Sequence, residues 1–185
     1  MSEFLLEIFS EEIPPALQIS ARENLLRNVI NFLDKENIIY DKNFFAHSTP
    51  NRLVIYFKNI QKEIVIKSRE IRGPKVSAPK NAIEGFIKSN EISKKKLYKR
   101  VTESGSFFFY RTSQKKVNTQ KILEQNMPNI LAQIKWKKSM RWGTYDLYWG
   151  RPLKSIMSIF NGKTLNFRFF HVKSSNKTYI DKNLE

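Results

Sequence analysis

Residues 4–35 read FLLEIFSEEIPPALQISARENLLRNVINFLDK, and the two halves of this stretch follow different periods. Phe4–Phe9 is a short apolar run with Glu7 inside it, which reads as a strand. Glu11 and Glu12 lead to Pro14-Pro15. Proline cannot donate to a β-ladder but suits the first turn of a helix, so the pair ends one element and opens the next. From Ala16 to Lys35, Leu17, Ala21, Leu25, Val29 and Leu33 recur in steps of four, and Leu26, Ile30 and Phe32 widen the stripe. That spacing predicts an amphipathic helix with its apolar face in a core.

Working outward, Ile38–Phe45 reads as a strand weakened by Asp41-Lys42-Asn43, and Ser48–Asn51 as a loop before the strong strand Arg52–Phe57. Gln61–Ile71 alternates in its centre and predicts a third strand pairing nearby, broken by Arg72-Gly73-Pro74. Pro79 opens a short helix carrying Ala82, Ile83, Phe86 and Ile87. Lys94–Lys96 is a run of three cations, the pattern of a solvated face. Leu97–Glu103 and Phe107–Thr112 form a hairpin about Ser104-Gly105. Thr119 is a candidate cap for a second main helix through Ile122, Leu123, Met127, Ile130, Leu131 and Ile134, which Pro128 should kink or split. Asn161-Gly162 is the preferred type I′ dipeptide, so Ser155–Phe160 and Thr164–His171 form a C-terminal hairpin burying Leu165, Phe167 and Phe169. Strands and helices mix without regular alternation. The expected class is α+β, with mixed or antiparallel sheet segments. Residues 1–173 read as one region with a possible sub-boundary near 115–120, and 174–185 as a polar, frayed tail.

Thirty-three Lys plus Arg stand against 17 Asp plus Glu, a net charge of +16. Such an excess is the electrostatic footprint of a protein that meets polyanions. Codon bias competes as an explanation, because 23 of the cations are Lys in a chain also rich in Asn, Ile and Phe. The chain lacks cysteine, which removes disulfides, thiolate zinc sites and a Cys nucleophile. The N-terminus lacks the basic start of a signal peptide, and no run nears the roughly 20 apolar residues of a membrane span. A cytoplasmic location is the expectation.

The segment Trp136–Pro152, WKKSMRWGTYDLYWGRP, holds all three tryptophans with Lys137, Lys138, Arg141 and Arg151. Trp and Tyr offer large faces with a polar handle, and Arg stacks on rings or forks onto phosphate. Either a surface for nucleic acid or another subunit, or a core segment with solvated cations, fits this composition. No self-contained active site is legible. Glu11 and Glu12 are neighbours that point apart and suit solvation or capping, while general acid–base work needs convergence on one atom. Phosphate-binding glycine loops are missing, and His47 and His171 do not assemble a triad with Ser139.

Six motifs in order resemble the beta subunit of the bacterial tetrameric glycyl-tRNA synthetase. Leu5–Ile8 with Glu11–Pro15 resembles that family's LLEIGTEELPP, and Thr49–Leu53 its TPRRL. Arg72-Gly73-Pro74 is similar to KGP, Ala82 with Gly85-Phe86 to A-x-x-GF, Lys138–Gly143 to KSMRWG, and Arg151-Pro152 to the RP after it. Departures are Phe9-Ser10 for Gly-Thr, Asn51 for Arg, and Ser155 where the family places Trp. The chain also stops after the approach to the family's GHRF segment. The resemblance covers nearly all of this chain and only the N-terminal part of the family, implying a truncated form.

What the resemblance implies is ATP-dependent attachment of glycine to tRNA(Gly) by an α2β2 assembly, with catalysis in the alpha subunit. This chain would supply tRNA binding and assembly, bind no cofactor itself and be inactive alone. The expected phosphate contacts are Lys137, Lys138, Arg141 and Arg151, with Arg52 and Arg72 as further candidates; Trp142 and Trp149 would stack on bases or pack on the partner subunit. A docking module without RNA contact, and a non-functional remnant, are the competing readings.

Overall fold

The computed structural model describes residues 1–180. Among the described residues, twelve strands and three α-helices make an α+β protein: β1 (Ser2–Ser10), α1 (Pro15–Lys35), β2 (Phe44–Thr49), β3 (Arg52–Ile60), β4 (Glu63–Ile66), β5 (Glu70–Lys75), α2 (Lys80–Ser89), β6 (Tyr98–Thr102), β7 (Gly105–Arg111), β8 (Lys115–Asn118), α3 (Thr119–Ala132), β9 (Leu153–Phe160), β10 (Lys163–Thr164), β11 (Arg168–Phe169) and β12 (Val172–Ser175). They belong to two compact units, Met1–Ile64 with Val117–Glu185, and Val65–Lys116. β4 pairs with β8 as a two-stranded sheet, and the chain crosses between the units within these two strands.

In the larger unit a sheet of order β11-β12-β9-β1-β3-β2 carries β10 on β9. β1 is central and antiparallel to both neighbours, while β12 runs parallel to β9. From Phe4 to Ile8 its side chains alternate with period two. Phe4, Leu6 and Ile8 sit opposite Phe57, Ile55 and Leu53 on β3 and opposite Phe160, Ser158 and Ile156 on β9. Against this face lies α1, through the five residues at steps of four read above, all buried. α3 packs beside α1, and Asn28 Nδ2 donates to the Ile130 carbonyl at 3.4 Å.

The smaller unit is a three-stranded antiparallel sheet, β5-β7-β6, with α2 on one face. Phe86 of α2 lies so close to β5 that a Cβ on Gly73 would fall 2.7 Å from its ring. The same ring meets Tyr110 of β7 edge-on at 6.0 Å.

Several sequence expectations need correction. The strand expected at Ile38–Phe45 begins only at Phe44, because the Asp41 carboxylate accepts from the Asn43 N–H at 2.9 Å and from Asn59 Nδ2 at 2.6 Å, forming a local turn. Ser48 and Thr49, expected in a loop, complete β2. Gln61–Ile71 is two strands, and neither pairs with β3; β5 continues through Arg72-Gly73-Pro74, whose missing N–H falls at a register shift between Arg72 and Lys75. The first hairpin turns at Glu103-Ser104, one residue early, because Thr102 pairs with Gly105. Asn118, not Thr119, caps α3 by accepting from the Gln120 N–H at 2.8 Å, and α3 runs through Pro128 without splitting. The glutamates cap nothing, since Pro14 occupies the cap of α1; Glu11 instead pairs with Lys154 at 2.9 Å. Asn161 and Gly162 both take the positive φ of a type I′ turn, but β10 lasts two residues before the chain bends away. Leu165, Phe167 and Phe169 are nonetheless buried. Ser174 and Ser175, read above as the start of a polar tail, pair with Ile156 and Met157 on β9.

Leu25 is fully buried and Ile19 is 55% exposed on the same helix. Leu25→Ala is expected to lower the unfolding free energy by about 2–5 kcal/mol and Ile19→Ala by under about 0.5 kcal/mol, read from urea midpoints. Equal losses would contradict the assigned face of α1.

Candidate nucleic-acid interface

The tryptophan segment is an irregular loop leaving the end of α3 and closed by one antiparallel bridge. The Met140 N–H donates to the Trp149 carbonyl at 2.8 Å, and the Trp149 N–H returns a bond at 3.1 Å. The bridge turns Trp149 inward, 1% exposed, against Trp136 at 5.1 Å and Phe169 at 5.3 Å between centroids. Trp136 in turn lies against Gly150, where a Cβ would clash with its ring. Trp142 is half-buried, edge-on to His171 at 5.9 Å, and Tyr145 stacks on the same imidazole at 4.4 Å. His171 Nε2 faces the Leu153 carbonyl at 2.9 Å and donates to it. The three indole N–H groups and His171 Nδ1 have no hydrogen-bond partner among the described residues. The indole rings are therefore held by packing and ring contacts, and the loop by its backbone bridge.

The candidate residues fare differently. Trp149 is removed from the base-stacking set, because its ring is enclosed. Trp142 keeps partial exposure. Arg141 closes its own loop, donating from Nε to the Tyr145 carbonyl at 2.9 Å and pairing with Asp146 at 2.8 Å. Arg151 donates to the Gly150 carbonyl at 2.8 Å. Lys137 and Lys138 are exposed and without an ion pair among the described residues.

Arg52 belongs to a different cluster at the end of β1. There the Ser10 N–H donates to the Asn51 carbonyl and the Glu11 N–H to the Pro152 carbonyl, both at 2.9 Å, and the Ile13 N–H donates to the Pro50 carbonyl. The motifs at residues 5–15, 49–53 and 151–152 thus meet in space. Arg52 lies over the Phe9 ring at 4.2 Å with Glu7 at 3.5 Å, and it donates to the Tyr179 carbonyl. Lys154 approaches the same ring at 5.5 Å and pairs with Glu11. Each cation here has its own carboxylate. Arg52 is a structural residue of this corner.

Arg72 stands in the smaller unit, and there sequence reasoning missed a constellation. Along β7, Phe107, Phe109 and Arg111 alternate with Ser106, Phe108 and Tyr110. α2 covers the Tyr110 face. The opposite face sets Arg72 and Tyr98 beside Phe109, Arg100 and Lys75 beside Phe107, and Glu70 beside Arg111. Arg72 lies 3.6 Å above the Phe107 ring, Arg100 5.8 Å from the Phe109 ring, and Tyr98 stacks on Phe109 at 6.3 Å. The Tyr98 hydroxyl donates to Glu70, which also pairs with Arg100 at 2.6 Å. That hydrogen bond, helped by the Arg100 and Arg111 charges, holds the Glu70 carboxyl below its ordinary value. The same bond pushes the Tyr98 phenol up, against the pull of the two arginines. The alternation in YKRVT and SFFFYR was the available signal; which face α2 covers was not in it. Charge concentrates here as well. Residues 65–116 carry 14 Lys and Arg against four Glu, a net +10, leaving +6 for the other 133 residues.

Among the described residues no three His, Asp or Glu side chains gather as a metal site, and no helix is long and apolar enough to cross a membrane. Residues 4–185 match the family model described as glycyl-tRNA synthetase beta subunit, and the chain belongs to that family. It is 36% identical over 179 residues to the glycine–tRNA ligase beta subunit of Rickettsia prowazekii (strain Madrid E), 37% to that of Rickettsia peacockii (strain Rustic) and 35% to that of Rickettsia bellii (strain OSU 85-389). Each alignment covers 97% of this chain and 27% of the relative, so the chain spans about a quarter of the length of those proteins.

Gly150→Ala is expected to destabilise the protein by about 1–3 kcal/mol, because the new methyl meets the Trp136 ring. Adding Trp136→Leu should cost less than the two single changes summed, read as a double-mutant cycle in denaturant. Strict additivity would separate the two residues.

Proposed function

We propose that this chain contributes RNA binding and subunit assembly to a glycine–tRNA ligase, the chemistry being carried by another subunit. The relatives are named beta subunits, and a beta subunit calls for an alpha partner; an α2β2 assembly that uses ATP to load tRNA(Gly) in the cytoplasm is the setting this reading gives the chain. The observation that carries it is a family match over residues 4–185 joined to a net charge of +16. A folded surface with that excess attracts phosphate-rich partners at long range.

For the tryptophan loop itself a second reading has its own support. Tyr148 is 65% exposed, Met140 41% and Tyr145 40%, beside Arg141. Tyr, Met and Arg are the types enriched at protein interfaces, which favours docking of the alpha subunit there.

Purified with its alpha subunit, the chain is expected to bind tRNA(Gly) with strongly salt-dependent affinity. Replacing Lys137 and Lys138 by alanine should flatten the slope of log K against log salt by about two units if the loop meets phosphates. An unchanged slope, with co-purification of the alpha subunit lost in Tyr148→Ala, assigns the loop to docking. Failure to bind either partner would sink the whole reading.

A further inference from the structure

The three-stranded sheet of the smaller unit has one face under α2 and one face of cations laid over rings. We propose that this second face is an RNA-binding platform that takes the phosphate backbone through Arg72, Lys75, Arg100 and Arg111, with Tyr98 and the Arg72 guanidinium as stacking surfaces for unpaired bases. The proposal rests on the functional reading above for its ligand class, and on this sheet alone for its place.

Arg72, Lys75, Tyr98, Arg100 and Arg111 are all exposed, while Phe107 and Phe109 beneath them are 6% and 7% exposed. The rings thus serve as a floor. One Arg72 N–H donates to Ser104 Oγ at 3.2 Å and one Arg100 N–H to Glu70. A guanidinium set over a ring keeps its opposite face for a ligand, and it loses little side-chain freedom on binding because it is already placed. Tyr98 keeps 38% of its surface exposed while stacking on Phe109. Base–aromatic stacking and cation–π contact of this type are tolerant of sequence.

Electrostatics selects the occupant. Four cations share the face with one acid, Glu70, and Glu70 is engaged by Tyr98 and Arg100. Arg72 and Lys75 have no ion pair among the described residues, nor has Arg111. The unit around them holds +10 of the chain's +16. The corner at Phe9 provides the internal contrast: there the same cation-over-ring geometry is matched by one carboxylate for each cation. Of these two cation-over-ring clusters, the sheet is the one that leaves a cation excess for a partner.

The test measures binding of two labelled probes, a tRNA(Gly) transcript and an unrelated single-stranded RNA, from about 50 to 300 mM salt. The protein is the full chain with its alpha subunit. Arg72→Gln/Arg100→Gln is expected to weaken both probes by roughly tenfold at about 0.1 M salt and to flatten both salt slopes by about two units. Lys75→Gln/Arg111→Gln, which leaves the ring-stacked pair in place, should flatten the slopes similarly with the thermal transition unchanged. Tyr98→Leu should weaken the single-stranded probe without altering its slope. Unchanged affinity and slope in the Lys75/Arg111 variant, with wild-type binding intact, overturns the platform and leaves the ligase reading standing. Loss of alpha-subunit binding in that variant, with RNA slopes unchanged, makes the face a protein-docking surface and overturns it too. Conversely, slopes that depend on the sheet with no alpha-subunit binding and no preference for tRNA(Gly) keep the platform and remove the ligase assignment.

Discussion

A strand with neighbours on both edges has no freedom of register, and β1 holds that position in the larger unit. Between β3 and β9 it must satisfy two antiparallel ladders at once while presenting Phe4, Leu6 and Ile8 to α1. A one-residue slip would send Glu7 into that core and Leu6 out of it, which the burial of the alternate set forbids. The lock extends past the end of the strand. Ser10, Glu11 and Ile13 hand their N–H groups to the carbonyls of Asn51, Pro152 and Pro50, so three segments separated by up to about 140 residues are fixed as one corner. The motif residues there take part in this joinery.

How much of this was legible depended on how local the deciding contact was. α1 was, because a five-residue stripe at steps of four has one solution and all five residues are buried. Asn161-Gly162 was also legible, since positive φ at consecutive residues is a property of the dipeptide. The second strand after it was half legible: the alternation of Leu165, Phe167 and Phe169 gave their burial, but pairing ends at Thr164 because β12 takes β9's remaining edge. Nothing local announces a parallel partner arriving from Ser174. Gln61–Ile71 failed for the same reason, its partners being β8 and β7 rather than the adjacent β3. Among site residues, aromatic and cationic composition drew attention to Trp149, whose fate was decided by a bridge to Met140 that no spacing encodes.

The two cation-over-ring clusters show why counting basic residues misplaces a surface. At the Phe9 corner, Arg52 and Lys154 are 20% and 11% exposed at the side chain, paired with Glu7 and Glu11, and their net contribution to the outside field is small. On the β5-β7-β6 sheet the cations are exposed and outnumber their acid four to one. Screening over roughly 8 Å at physiological salt means that a partner senses the local imbalance and not the chain's total. The period of two along β7 creates that imbalance by sending Tyr110 towards α2 and Arg111 away from it. Backbone pleat, and not composition alone, decides which face of this sheet is positive.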